Sequence, residues 1–349
     1  MPGEIRDKSV ALISREEAIK AFDHDNVAIS VHEHLDQEEL FFENGKSVFY
    51  AQSLEEFMQQ FSGLALKLHG QPLEMFCAAF FSCPIYERFR AIQLDRSNCS
   101  NSDIYYDANN RILEEIGVLQ KAFRDSNPHR LAEGTSFLPL PFLFVDPNIS
   151  ASGFESQYAA VLDKVAGLKW HPFAQRKEPK DYVRAGYVDL AAQYHLPTVI
   201  HCERPGEKGD LNALFNDVSP HAEKARVPID IAHMGFLHKG FNRIGDFEFS
   251  YIDMSPWSTI TMADNDQVSM QARAELLAEF LKAHSNSMLF GMDTPFNWSL
   301  WSNGRKYGAD VADEIKILEQ AISLAGVEAA DRLLNKNPRQ FLKGQGCEL

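Results

Sequence analysis

The chain has 349 residues, 45% apolar and 24% charged, a globular balance that supplies a large buried core. A formal charge of −15 disfavours nucleic acid and anionic membrane surfaces as partners. Five cysteines without a CxxC pair, no N-terminal apolar stretch and no 18-residue apolar run argue against a disulfide scaffold, a leader peptide and a membrane span. A soluble, cytoplasmic protein is expected.

Ser14 followed three residues later by Glu17 predicts a capping box and a short helix. Val27–Val31 is the first strand, and His32-Glu33-His34 ends it. From about Gln37 to Glu133 the pattern loses its alternation. Leu54–Leu68, Leu73–Leu94 and Arg111–Phe123 read as helices, so an inserted helical segment is expected at about 37–133. Ser47–Tyr50 and Ile104–Tyr106 are the candidates for a second strand of the main sheet. The stretch Leu54–Phe123 carries many apolar side chains, among them Phe57, Phe61, Phe76 and Phe80. It is expected to cover the mouth of the fold and set specificity, or to meet a second subunit in a homodimer.

Phe142–Val145 is the third strand, with Pro139 and Pro141 placed at its start. Regular alternation follows. A helix near Gly153–Val165 leads to a strand ending in Lys169-Trp170-His171. Asp181–Tyr194 is helical and leads to Thr198–Ile200. Leu211–Ala225 leads to Ile229–Ala232. A short connection reaches Phe249–Asp253, and the helix Gln267–His284 leads to Met288–Gly291. Val311, Ile315, Leu318 and Ile322 face one way on a last helix that Gly326 stops, and Glu328–Leu342 closes the chain.

Polar residues end these apolar runs at a regular interval. His201 follows His171 by about thirty residues, His233 follows His201 by about the same, and Asp293 lies about two such units further on. Thirty residues make one strand-plus-helix unit. Metal-ligand types at successive parallel strand ends predict a single α/β domain, a (β/α)8 barrel over 1–349, with one metal site at its C-terminal face.

His32 and His34 are two apart on a strand and leave the same face, so both imidazoles can reach one cation. Alone they would read as surface histidines. His201, after Val199-Ile200, would alone read as a core histidine. His233 is either a ligand or a free base. Asp293 is a ligand able to take a proton, or a capping residue before Thr294-Pro295. Lys169 and His171 share one face of the fourth strand. Arg204 is a candidate clamp for a substrate carboxylate, or an exposed loop arginine. Trp257, Trp298 and Trp301 either wall the pocket or pack in the core.

His-x-His on strand one, Gly167-Leu168-Lys169-Trp170-His171-Pro172, Ile200-His201, Ala232-His233-Met234-Gly235, Gly291-Met292-Asp293-Thr294-Pro295 and Asn337-Pro338-Arg339-Gln340-Phe341 together resemble the amidohydrolase superfamily. The similarity is to the branch with aminocarboxymuconate-semialdehyde decarboxylase-like enzymes and covers Val27–Asp36 and Phe142 to Phe341. The resemblance implies one divalent metal, zinc above all, with manganese, cobalt or iron as substitutes. It implies His32, His34, His201 and Asp293 as ligands and His233 as the acid/base. In binuclear members a lysine at the position of Lys169 is carboxylated, whereas in this branch it stays an amine. Met292 departs from the small polar residue common at its place.

The expected chemistry is attack of a metal-activated water on an amide, ester or lactone of a small molecule, with a carboxylic acid among the substrates admitted by Lys169, His171, Arg204 and Trp257. The alternative is non-oxidative decarboxylation of an unsaturated or aromatic acid. A barrel that binds without catalysis would be expected to lack ligands, and none is missing here.

Overall fold

The structure is a computed structural model. It describes residues 12–35, 37–41, 47–51, 57–58, 67–68, 71–82, 101–125, 128, 130–131, 134–203, 205–237, 241–255, 257, 269–293 and 311–346. Ser14 caps the helix Arg15–Phe22 through the expected capping box. Eight parallel strands follow: β1 (Val27–His34), β2 (Met75–Phe81), β3 (Ser136–Phe144), β4 (Gly167–Trp170), β5 (Thr198–Ile200), β6 (Ile229–Ile231), β7 (Ser250–Asp253) and β8 (Met288–Leu289). Each pairs with the next in sequence order. Two bonds then join the last strand to the first: Val31 N–H to the Phe290 carbonyl (2.9 Å) and Asp293 N–H to the His32 carbonyl (2.8 Å). The sheet is thereby a (β/α)8 barrel, with helices between strands on its outside.

Period-2 alternation sorts each strand between two cores. Val27, Ile29, Val31, Cys77, Ala79, Leu138, Leu140, Val199, Tyr251 and Leu289 fill the barrel interior. Ala28, Phe76, Ala78, Phe80, Phe137 and Leu143 face outward and pack beneath the helices. In-register pairing sets Lys169 beside Val199, Val199 beside Asp230, and Asp230 beside Tyr251. One interior layer therefore carries a lysine and an aspartic acid side chain among apolar residues.

The segment expected to be a helical insertion departs from that reading. β2 lies inside it, where Leu73–Leu94 reads as a helix. Met-Phe-Cys-Ala-Ala-Phe-Phe is buried on both faces, and a strand buried on both faces shows no alternation. Ser47–Ala51 is a strand, but it belongs to an antiparallel hairpin with Gln37–Phe41. Lys67–Leu68 pairs with Gln71–Pro72 in a second hairpin. Ile104–Tyr106 lies in the helix Asn101–Arg124, the barrel helix between β2 and β3. That helix packs on the barrel wall: Gln120 Nε2 donates to the Pro139 carbonyl (2.8 Å) and Asn109 Nδ2 to the Phe144 carbonyl (2.9 Å). Phe57 is buried against Phe76, Phe80 and Phe137, also on the outer wall. Phe61 and residues 83–100 lie outside the described residues.

Pro139 and Pro141 stand inside β3 rather than at its start. The first part of β3 has β2 on one side only, because β4 begins opposite Phe142. The two prolines face the side where no strand needs their missing N–H. Other elements are more broken than their periodicity suggests. Gly186, at φ +89, splits one helix into Pro179–Arg184 and Tyr187–Gln193. The C-terminal run is a helix, Val327–Asp331, a π turn, Arg332–Lys336, and a helix, Asn337–Leu342. Asn335 donates to the His24 and Val27 carbonyls, and Asn337 to the Ser285 and Met288 carbonyls. They hold the starts of β1 and β8 from below. Among the described residues no helix is long and apolar enough to cross a membrane.

Candidate metal centre

The ends of β1, β4, β5, β6 and β8 bring His32, His34, Lys169, His171, His201, His233 and Asp293 to one place at the C-terminal mouth. All but His201 are buried. His32 Nε2 is 3.3 Å and His34 Nε2 is 2.9 Å from the same oxygen, Asp293 Oδ1. His233 Nδ1 is 3.8 Å from Asp293 Oδ2. His32, His233 and Asp293 offer ligand atoms within 4.8 Å of one another. Lys169 Nζ lies 3.1 Å from His32 Nε2 and 4.2 Å above the Phe81 ring.

The end of β7 supplies the residues that orient these groups. Asp253 Oδ2 is 2.6 Å from His32 Nδ1, and Ser255 Oγ is 3.0 Å from the same nitrogen. Asp253 Oδ1 accepts from the His233 and Ser255 backbone N–H groups (both 3.0 Å) and from Ser255 Oγ (2.6 Å). The Ser255 carbonyl lies 2.7 Å from His233 Nδ1. A carboxylate and a carbonyl only accept, so the protons sit on Nδ1 of both rings. His32 then presents a lone pair at Nε2 toward Asp293, and His233 presents one at Nε2.

That Nε2 is 2.8 Å from His201 Nδ1. His201 Nε2 faces Glu203 Oε2 at 3.2 Å, which places the His201 proton on Nε2 and its lone pair on Nδ1. Two lone pairs face each other there, and the His32 lone pair faces Asp293 Oδ1 at 3.3 Å and Lys169 Nζ at 3.1 Å. The facing pair at His201 and His233 repels itself unless a cation or a proton sits between the two nitrogens. The donors are imidazole and carboxylate, with second nitrogens held by Asp253, Ser255 and Glu203, as ligands to zinc-like ions are held. The residues present therefore fit a divalent ion.

Burial alone would raise the Asp293 carboxyl, but His32, with further contributions from His34 and His233, holds it well below the ordinary carboxylate range. Asp253 is likewise held down against burial by His32 and His233. Asp230, one layer below, is pushed well above the ordinary range by burial and by Asp253. Burial and the neighbouring His201 bring His233 down to about 3. His233, Met234 and Asp293 adopt φ of +62°, +48° and +56°. Non-glycine residues in this region carry strain of about 1–3 kcal/mol each, and here they mark two of the strand ends that bear the donors.

Gly291 has a packing role. A Cβ there would lie 2.8 Å from His32 Cβ and 3.4 Å from Ser255 Cβ, so only glycine lets β8 close on β1 at this level. Glu33 points away from the two histidines, accepts from Ser30 Oγ and from the Met292 N–H (3.3 Å), and ties β1 to β8.

Trp257 is fully buried, meets Phe280 edge-on, and donates its indole N–H to the Arg273 carbonyl (3.0 Å). Its polar atom is thus committed to the helix Met270–Ala283. Arg204, Trp298 and Trp301 lie outside the described residues. Asp253, Ser255 and Glu203 are the residues that motif reading passes over. Asp253 ends a strand run in step with the ligands, and that position was the available signal.

No family model matches the sequence, and no curated protein matches it. Solved structures do. A probable 2-pyrone-4,6-dicarboxylic acid hydrolase from Acinetobacter baumannii, crystallised with citric acid bound, aligns at TM-score 0.54 and 11% identity over 90% of this chain and 98% of its own. A dihydroorotase from Campylobacter jejuni aligns at 0.50 and 17%, over 89% and 81%. An uncharacterised TIM-barrel protein from Bordetella bronchiseptica aligns at 0.51 and 10%, over 91% and 99%. This chain has the (β/α)8 fold of these proteins, in agreement with the amidohydrolase-like motifs at its strand ends.

Proposed function

We propose that the protein is a metal-dependent hydrolase of the amidohydrolase superfamily that cleaves a C–N or C–O bond in a small molecule: an amide, ester or lactone. The observation that carries this reading is the convergence of His32 Nε2 and His34 Nε2 on Asp293 Oδ1, with His32 locked by Asp253 as an acceptor at Nε2. His32, His34, His201 and Asp293 would hold one divalent ion, zinc by the chemistry of the donors, with manganese, cobalt or iron as alternatives. Such an ion polarises a substrate oxygen and lowers the pKa of bound water to about 7.

The chain's own residues handle the protons. His233 is held neutral, with its Nδ1 proton given to the Ser255 carbonyl, so Nε2 is the atom that accepts a proton. Asp293 Oδ2, 3.8 Å from His233 Nδ1, places a second, ionised acceptor beside it. Phe81 and the buried β-strand ends exclude water from the rest of the site. Citric acid in a structural neighbour supports a substrate bearing carboxylates. Loss of CO2 from an unsaturated or aromatic acid uses the same donor set, and product analysis separates the two.

Metal content of the protein as purified tests the reading. One equivalent of transition metal, lost together with activity in His34→Ala, is the expected result. Full activity in metal-free His34→Ala would refute it.

A further inference from the structure

Lys169 is a buried side chain that neither the donor set nor the proton transfers use. β4 sets it in register with Val199 on β5, so it points into the barrel, one layer below His171. It is fully buried and approaches the site from beneath, not from the mouth. Its side chain crosses to β1, where Nζ stops 3.1 Å from His32 Nε2. The same nitrogen is 3.3 Å from Asp293 Oδ1, while the other nitrogen of the ring is held by Asp253 at 2.6 Å. A lysine amino group in its ordinary form donates and does not accept. It therefore answers at His32 the lone pair that an ion would otherwise take. An ion held by His32 would stand about 2.0–2.1 Å from Nε2. With Nζ so close to that atom, ion and amino group compete for one lone pair.

We propose that Lys169 fills the cation position at His32 while the site is empty, and withdraws when the ion enters. It is then a positioning residue that sets metal affinity. This rests on reading the strand ends as a metal-dependent site. A second seat for the amino group lies beside the first. The Phe81 ring centroid is 4.2 Å from Nζ, and an aromatic face attracts a cation. Phe81 also packs against both histidines of β1, with centroids 5.1 Å from His32 and 4.5 Å from His34. An amino group that leaves His32 thus keeps a favourable contact without leaving the barrel interior. His32, His34, His201 and Asp293 complete a set of four donors without the lysine, so the ion gains nothing by keeping it.

The test is zinc binding to full-length protein stripped of metal, read by competition with a chromogenic chelator. Lys169→Met keeps an unbranched stem against Phe81 and removes the donor. Zinc should bind Lys169→Met about ten- to hundredfold more tightly than wild type, the effect of removing one hydrogen bond to a charged group that competes with the ion. Equal binding would overturn the proposal. So would weaker binding, which would make Lys169 a ligand or the support of one. Should Lys169→Met fail to fold, structures of the wild type with and without zinc decide. Nζ should lie beside His32 Nε2 in the stripped protein, and over Phe81 and off that nitrogen in the loaded one. Nζ unmoved, or at bonding distance from the zinc, would overturn the proposal. The hydrolase reading fails in a different way. Zinc held by Lys169→Met and refused by wild type would uphold the role of the lysine and sink the metal-dependent reading of the natural chain. Zinc refused by both would remove both.

Discussion

Gly291→Ala should damage both the fold and the metal centre through one contact. The added Cβ would lie 2.8 Å from His32 Cβ, against about 3.5–4.0 Å for carbons at rest. Relief needs β8 and β1 to part by roughly an ångström, and both neighbours are backbone or a fully buried side chain. The seam bonds at 2.9 and 2.8 Å would then stretch beyond hydrogen-bonding range. Two lost bonds at about 1 kcal/mol each, with about 1–3 kcal/mol of overpacking, give a loss of roughly 3–5 kcal/mol. For a chain of this size that lowers Tm by roughly 4–7 °C. Displacing His32 should also weaken metal binding by about 10–100-fold. Scanning calorimetry with metal titration reads both effects. Gly245→Ala is the control, since nothing lies within 4 Å of its Cβ position. If Gly291→Ala matched that control in Tm and metal affinity, the account of barrel closure at this glycine would be wrong.

Three further outcomes follow from the site. His233→Asn should retain most bound metal while turnover falls by about 10²–10⁴, measured by metal analysis beside steady-state kinetics; loss of metal would make His233 a ligand. Asp253→Asn should weaken metal binding by about 10–100-fold, because His32 loses the acceptor at Nδ1, whereas Asp230→Asn should leave it near wild type, because the carboxyl of Asp230 is held above the ordinary range and is already neutral. In metal-free protein, stability should fall as pH drops below about 6.5: the unfolded chain takes a proton at His233 there, while the folded chain does not until about pH 3. Urea titrations at pH 7.5, 6 and 5 should show that slope, reduced in His233→Asn, and an unchanged slope would refute the assignment.

The meeting of these side chains at one mouth was legible because barrel geometry repeats. His32, His34, His201, His233 and Asp293 each follow an apolar run, and His171, His201, His233 and Asp293 do so at a regular interval. β2 was not legible. A strand buried on both faces, such as Met75–Phe81, shows an unbroken apolar run and cannot be told from a buried helix. Pro139 and Pro141 misled for a related reason, since their tolerance depends on where β4 begins, a tertiary fact. Asp253 and Ser255 could be seen as a strand end, but their partnership with His32, more than two hundred residues away, is set by closure of the sheet. Asp230 had no signal, because a carboxylate amid strand residues usually marks an outward face.

Joining β1 to β8 has a consequence for how the molecule is made. Glu33 and Met292 are 259 residues apart, and Asn335 reaches Val27 across 308. During synthesis β1 therefore emerges with an exposed edge and two histidines that lack their carboxylate. Neither the edge nor the ligand set is complete until nearly all of the barrel has left the ribosome. Such long-range pairing folds slowly and leaves open strand edges prone to association in the interim. On the proposed reading, metal capture would be the last event of folding, a latch that closes only once β8 has joined β1.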